Sequence, residues 1–267
     1  MVGIRGSRPE HDALRRDLDA CEKVRCRAVI LFDHDVPTKG ERNIQSPAQL
    51  HDLIAHIRER LGQDAIVAID QEGGPVQRLR AARGFVESPS AADYATLPPD
   101  ARAKAARALA PQLASLGVDL NFAPCVDVAL NASSSIISGK GRSFGSDPRL
   151  VTSLAREVIE AHHAARVAPC IKHFPGHGSA PADSHLDLPD ITACWDERAE
   201  LAPFGALAPL HRDGAPLAVM TAHLLHRGVD AHAPASLSRA WTTGVLRERL
   251  GFRGVVITDS LDMRAVA

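Results

Sequence analysis

Seven short, mostly apolar runs constrain this chain more than any other feature: Val2–Ile4, Ala28–Phe32, Ala65–Ile69, Val118–Phe122, Val167–Ile171, Leu217–Met220 and Val255–Ile257. They are continuous rather than alternating, the pattern of parallel strands buried on both faces. Amphipathic stretches separate them, and helices are predicted over 49–61, 100–116, 147–166, 195–213 and 238–250. In the first of these, Leu50, Leu53, Ile54 and Ile57 stand at i, i+3, i+4 and i+7 and form one apolar stripe. Pro148 suits the first position of the third. Strands alternating with helices imply an α/β barrel or a doubly wound sheet.

The residues at the strand ends separate these two folds. The third run ends in Asp70, the fifth in Lys172 and His173, the sixth in Thr221 with His223 close behind, and the seventh in Thr258 and Asp259. Reactive side chains from at least four separate strands converge only if the sheet closes into a ring, and in a TIM barrel that face carries the site. A dinucleotide fold would show a G-x-G-x-x-G turn after its first strand, and Gly3–Arg8 lacks that spacing. The expected fold is therefore an α/β TIM barrel. Seven strands are one short of eight, and the first and last elements sit at the chain's two ends. The expectation is a single barrel domain over 1–267, truncated at both ends, with the last strand and closing helices missing.

Composition excludes several classes. With 45% hydrophobic and 24% charged residues, the chain is neither disordered nor a small disulfide scaffold. Lys and Arg number 31 against 32 Asp and Glu, so no basic surplus favours nucleic acid or an anionic membrane as partner. No run approaches the ~18 apolar residues of a membrane span. The N-terminal stretch lacks the pattern of a secretory signal, so a cytoplasmic location is expected. Five irregularly spaced cysteines with no C-x-x-C read as reduced, buried thiols rather than a zinc ribbon.

Four segments carry candidate chemistry. The most informative is IKHFPGHGSAPADSHLDLP, 171–189, where Gly and Pro prevent a helix and make a long loop. In it Asp183 and His185 stand two apart and would share a face of an extended segment. A carboxylate beside an imidazole fixes one tautomer and raises its pKa, as a general acid/base near neutral pH requires; a solvated loop pair is the plain alternative. In AIDQEGGPVQRLR, 68–80, Asp70 and Glu72 follow a strand, Gly73 and Gly74 allow close approach, and Arg78 and Arg80 add fixed charge. In GRSFGSDP, 141–148, Arg142 is available for a bidentate contact. In GVVITDSLDM, 254–263, Asp259 is placed as a nucleophile or, alternatively, as a helix N-cap.

These motifs, with DLNFAPCVDV and MTAHL between them, resemble glycoside hydrolase family 3. The run KHFPGHG followed by DSH resembles its β-N-acetylglucosaminidase branch, the NagZ type. The resemblance implies a (β/α)8 barrel and retaining, exo-acting hydrolysis of terminal β-linked GlcNAc, with muropeptides of peptidoglycan recycling as the expected substrate. It implies that Asp259 is the nucleophile, that His185 is the acid/base and Asp183 its dyad partner, and that Asp70, Arg78, Arg142, Lys172 and His173 bind the sugar hydroxyls. Lys172 and Arg142 would keep Asp259 ionised. It implies no metal, no organic cofactor, and a small carbohydrate as the partner. Pro75 stands where the family often has arginine, and small polar residues at 131–135 predict a locally altered loop. Two other readings follow from the same residues. A metal-dependent barrel hydrolase could draw ligands from Asp70, His173, His177, His185, His223 and Asp259. A truncated barrel could retain sugar contacts without turnover.

Overall fold

The computed structural model describes residues 1–181 and 188–266. Seven parallel strands form one sheet: β1 (Val2–Gly3), β2 (Ala28–Leu31), β5 (Ile66–Ile69), β6 (Leu120–Asn121), β7 (Ala168–Phe174), β8 (Ala218–Thr221) and β9 (Val255–Thr258). Between β2 and β5 lies a small antiparallel pair, β3 (His34–Asp35) and β4 (Gly40–Glu41), that the apolar runs do not signal. The helices are α1 (Asp12–Lys23), α2 (Pro47–Leu61), α3 (Ala91–Thr96), α4 (Pro99–Leu116), α5 (Pro148–Ala164) and α6 (Glu197–Leu207). The predicted helix over 238–250 is a wide, π-helical segment, Ala240–Arg249.

Spatial order in the large sheet follows chain order without a reversal. A doubly wound sheet reverses at a switch point, whereas a barrel adds each strand beside the last, so the connectivity is that of a TIM barrel. Alternate side chains divide between two cores. Val29, Leu31, Val67 and Ile69 pack outward against Leu14 and Leu18 of α1 and Leu50, Leu53, Ile54 and Ile57 of α2. Ala68, Leu120, Cys170, Ala218 and Met220 point inward, with Ile30 and Ile257 packed on them. Ala68 and Cys170 are fully buried although the helices cover the other face. A flat sheet would leave that face wet, so the sheet is curled on itself.

Local signals set the helix starts. Ser46 and Asp147 accept hydrogen bonds from Gln49 N and Arg149 N, and Pro follows each cap. The double burial explains why the apolar runs are continuous. It also explains where the sequence reading misplaces a boundary: β7 runs on through Lys172, His173 and Phe174, because both polar residues find buried partners inside the barrel mouth.

Candidate active site

Parallel strands bring their C-terminal ends to one rim. β5 delivers Asp70 and, through the Gly73–Gly74 turn, Glu72. The turn needs glycine: Gly73 has φ +102° and a Cβ there would stand 2.0 Å from the Pro89 carbonyl. This lets Glu72 N and Gly73 N both donate to Val76 O and turns the Glu72 side chain inward. Gln71 aligns the next stretch. Its Oε1 accepts from Arg78 N and Leu79 N, each at 2.9 Å, and so sets Arg78 beside Asp70. Gln71 N itself donates to Asn121 Oδ1, and Asn121 Nδ2 donates to Gln71 O and faces His162 Nε2.

From this frame a buried ionic network spans four segments. Lys172 Nζ lies 2.9 Å from Asp70 Oδ1 and 2.6 Å from Glu72 Oε1. Arg78 Nη2 reaches Asp70 Oδ2 at 3.2 Å. Arg142 grips Glu72 and places its Nη2 3.0 Å from His173 Nε2. His173 Nδ1 lies 2.6 Å from Asp127 Oδ2. Because a guanidinium only donates, His173 Nε2 accepts and its Nδ1 carries the proton toward Asp127. Three carboxylates, Asp70, Glu72 and Asp127, thus balance the cations Lys172, Arg78 and Arg142.

Burial alone would raise the pKa of Glu72, but Arg142 and Lys172 outweigh it and hold the carboxyl well below its ordinary range. Asp70 is lowered in the same way by Lys172 and Arg78 against its burial, and Asp127 by its contacts to His173 and His177. Burial would lower Lys172, yet Asp70 and Glu72 push it above the usual lysine value. All the charged forms are therefore locked in at neutral pH. A rigid set of acceptors and donors at the strand ends suits recognition of a neutral polyhydroxylated ring.

The sequence-predicted residues Asp70, Arg78, Arg142, Lys172 and His173 come together in this network. Asp259 leaves β9 on the same rim. Its backbone N–H donates to Thr221 O at 2.9 Å and its Oδ1 accepts from Ser260 N. Burial pushes the thiol of Cys170, on the inner face of the sheet, well up, with lesser electrostatic contributions from Lys172, Asp70 and Asp259. Turns rather than a helix follow Asp259, so the helix-cap reading does not hold among the described residues. Nor does Asp259 form an ion pair there; Lys172 and Arg142 are engaged by Asp70 and Glu72. Asp183 and His185 lie outside the described residues.

Sequence reasoning gave no role to Asp127 and named Glu72 without one. Asp127 sits between Val126 and Val128, all three fully buried. A charge inside a buried apolar run demands a partner, and that was the available signal. Cys125, Asp127 and His173 offer three ligand atoms within 4.8 Å of one another. Ligation through His173 Nδ1 would move its proton to Nε2, against the Arg142 donor, so these residues do not suit a metal as arranged. His223 is likewise engaged at both nitrogens, by Ser236 Oγ and Ser260 O.

Residues 23–267 match the N-terminal domain of glycosyl hydrolase family 3. The chain belongs to this family. A β-hexosaminidase of Pseudomonas aeruginosa is 41% identical over 227 residues, a match covering 83% of this chain and 64% of that protein. The chain thus spans less than two thirds of that relative. Among solved family 3 structures, a β-N-acetylglucosaminidase from a Paenibacillus species superposes with a TM-score of 0.86 at 33% identity, over all of this chain and 48% of the other. NagZ from Neisseria gonorrhoeae, in complex with N-trifluoroacetyl-D-glucosamine, superposes with a TM-score of 0.80 at 32% identity, over 98% of this chain and 74% of its own. Within this family 3 domain no described helix is long and apolar enough to cross a membrane.

Proposed function

We propose that this family 3 domain carries the active site of a retaining exo-β-N-acetylglucosaminidase. The observation that carries the reading is the strand-end network of Asp70, Glu72, Lys172, Arg142 and His173, in a chain whose relatives are named for cleaving hexosaminides. Asp70, Arg78, Arg142, Lys172 and His173 hold the ring hydroxyls of a terminal GlcNAc. Asp259 attacks the anomeric carbon and forms a covalent glycosyl-enzyme while His185, paired with Asp183, protonates the departing oxygen. His185 then takes a proton from water, which attacks the same carbon and releases Asp259. Imidazole has a pKa near working pH without the burial that a carboxylic acid would need for this duty. No metal or organic cofactor takes part in these steps.

The natural substrate in this reading is a muropeptide carrying non-reducing GlcNAc, cleaved in the cytoplasm during peptidoglycan recycling. Release of 4-nitrophenol from its β-GlcNAc glycoside tests the chemistry, and GlcNAc–anhydro-MurNAc tests the aglycone. Loss of release in Asp259→Ala is expected; undiminished release would remove Asp259 from its role. Undiminished turnover after exhaustive chelation is expected too, and its loss would favour the metal-dependent reading.

A further inference from the structure

Glu200 is a charge-bearing side chain with no place in the steps above. It stands in the first turn of α6, 1% exposed, and among the described residues no cation pairs with it. Burying a carboxyl without a counter-ion is unfavourable unless hydrogen bonds satisfy it. Those bonds come from one turn. Oε1 accepts from Ser179 N at 2.8 Å and Ser179 Oγ at 2.6 Å, and Oε2 faces Gly178 N at 3.4 Å.

The same turn is held from its other side by the sugar-binding network. Asp127 Oδ1, whose carboxylate orients His173, accepts from His177 N at 2.8 Å. Asn131 N donates to Gly178 O, and Asn131 Nδ2 to Ala180 O. There is no slack: a Cβ on Gly178 would lie 1.6 Å from Val128 O, and one on Gly176 would lie 2.3 Å from Glu200 Oε2. Three consecutive amides, at 177, 178 and 179, are therefore divided between two buried carboxylates on opposite sides. This turn begins the segment that carries Asp183 and His185 in the sequence.

We propose that Glu200 is a positioning residue for proton transfer: by gripping Gly178 and Ser179 it sets where the chain departs from the Asp127–His173 network toward Asp183 and His185. The inference rests on the glycosidase reading. Burial pushes the Glu200 carboxyl up to about 7 against the Ser179 hydrogen bonds, consistent with a group held in place for its contacts rather than its charge.

The test is leaving-group dependence in Glu200→Gln, Ser179→Ala and wild-type protein, using an activated dinitrophenyl and an unactivated alkyl β-N-acetylglucosaminide. Proton donation matters little to the first glycoside and contributes typically 10²-fold or more to cleavage of the second. Glu200→Gln is expected to lower kcat/KM on the alkyl glycoside by roughly 10²-fold and on the dinitrophenyl one by only about 3-fold. A variant that merely lowered the folded fraction would slow both equally. Equal slowing, or none, overturns the proposal. Should Glu200→Gln not fold, Ser179→Ala, which removes one hydrogen bond, decides by the same skew at smaller size. If wild-type protein cleaves neither glycoside, the glycosidase reading falls and this inference with it. If wild type cleaves both and neither variant shows the skew, only the inference falls.

Discussion

Arg142 and Glu72 meet fork to fork, with Nε 2.8 Å from Oε2 and Nη2 2.7 Å from Oε1, and both side chains are less than a tenth exposed. The pair joins the loop after β5 to the loop before α5. It also explains how Lys172 can be buried on β7, since Glu72 Oε1 is shared between the two cations.

Glu72→Gln keeps the shape of the side chain and removes its charge. Lys172 would then keep Asp70 alone, and Arg142 would lose its only ion-pair partner among the described residues, leaving a buried cation uncompensated. Breaking a buried pair in this way costs about 3–5 kcal/mol. Urea denaturation should show a loss of that size, and KM for a β-GlcNAc glycoside should rise because Arg142 is no longer oriented. A variant as stable as wild type would mean that water, not Glu72, balances the two cations.

Asp259→Asn should separate activity from stability. The side chain is partly exposed at a strand end and its described contact is local, to Ser260 N. Stability should change by no more than about 0.5 kcal/mol, the usual range for such a site. Turnover of an aryl β-GlcNAc glycoside should fall by at least about 10³-fold, as it does when a covalent nucleophile is removed. Parallel melting curves and rates check both halves. A large drop in stability with little change in rate would make Asp259 structural.

The strand-end logic made the barrel and Asp70, Lys172 and His173 legible in the sequence, while Arg78 and Arg142 were legible through their motifs and the family resemblance. Polar residues that terminate apolar runs have only the rim to occupy. The partners were harder to see. Asp127 and Glu72 are positioned by contacts across 46 and 70 residues of chain, and no local pattern encodes which cation a buried carboxylate meets. The β3–β4 pair was missed because its strands are two residues long and polar. The helix ends shifted by at most two residues elsewhere and by more at the end of α6, where the predicted 195–213 stops at Leu207 before a tight turn over Ala208–Leu210.

Asp127→Asn tests tautomer control. Asp127 accepts from His173 Nδ1, His173 N, His177 N and Cys125 Sγ. An amide in its place turns an NH2 group toward some of these donors, and each buried group left unpaired costs about 1–3 kcal/mol. Nitrogen chemical shifts of the His173 ring should show the proton on Nδ1 in wild type and lose that preference in the variant. Identical ring shifts in both proteins would mean that Arg142 alone sets the tautomer.

Stability should fall on mild acidification. His162 is buried with Nδ1 donating to Val158 O and Nε2 facing Asn121 Nδ2, and burial lowers its pKa from 6.5 to about 4. Burial lowers His177 to about 4 as well. Between those values and 6.5 the unfolded chain holds both protons and the folded one does not, so stability rises with pH across that window. Glu200 works in the opposite sense, because its folded carboxyl keeps a proton up to about 7 while the unfolded one releases it near 4.5. Two protons favour the unfolded chain and one the folded, leaving a net loss of about 1.4 kcal/mol per pH unit as pH drops from 6.5 toward 4.5. Below that, protonation of Glu72 and Asp127, whose folded pKa values are depressed, removes further stability. Urea denaturation at half-unit steps from pH 4.5 to 6.5 measures the slope. His162→Gln deletes one titrating group and should reduce it by about 1.4 kcal/mol per unit; a slope identical to wild type would mean that His162 is already protonated in the fold or exposed in solution.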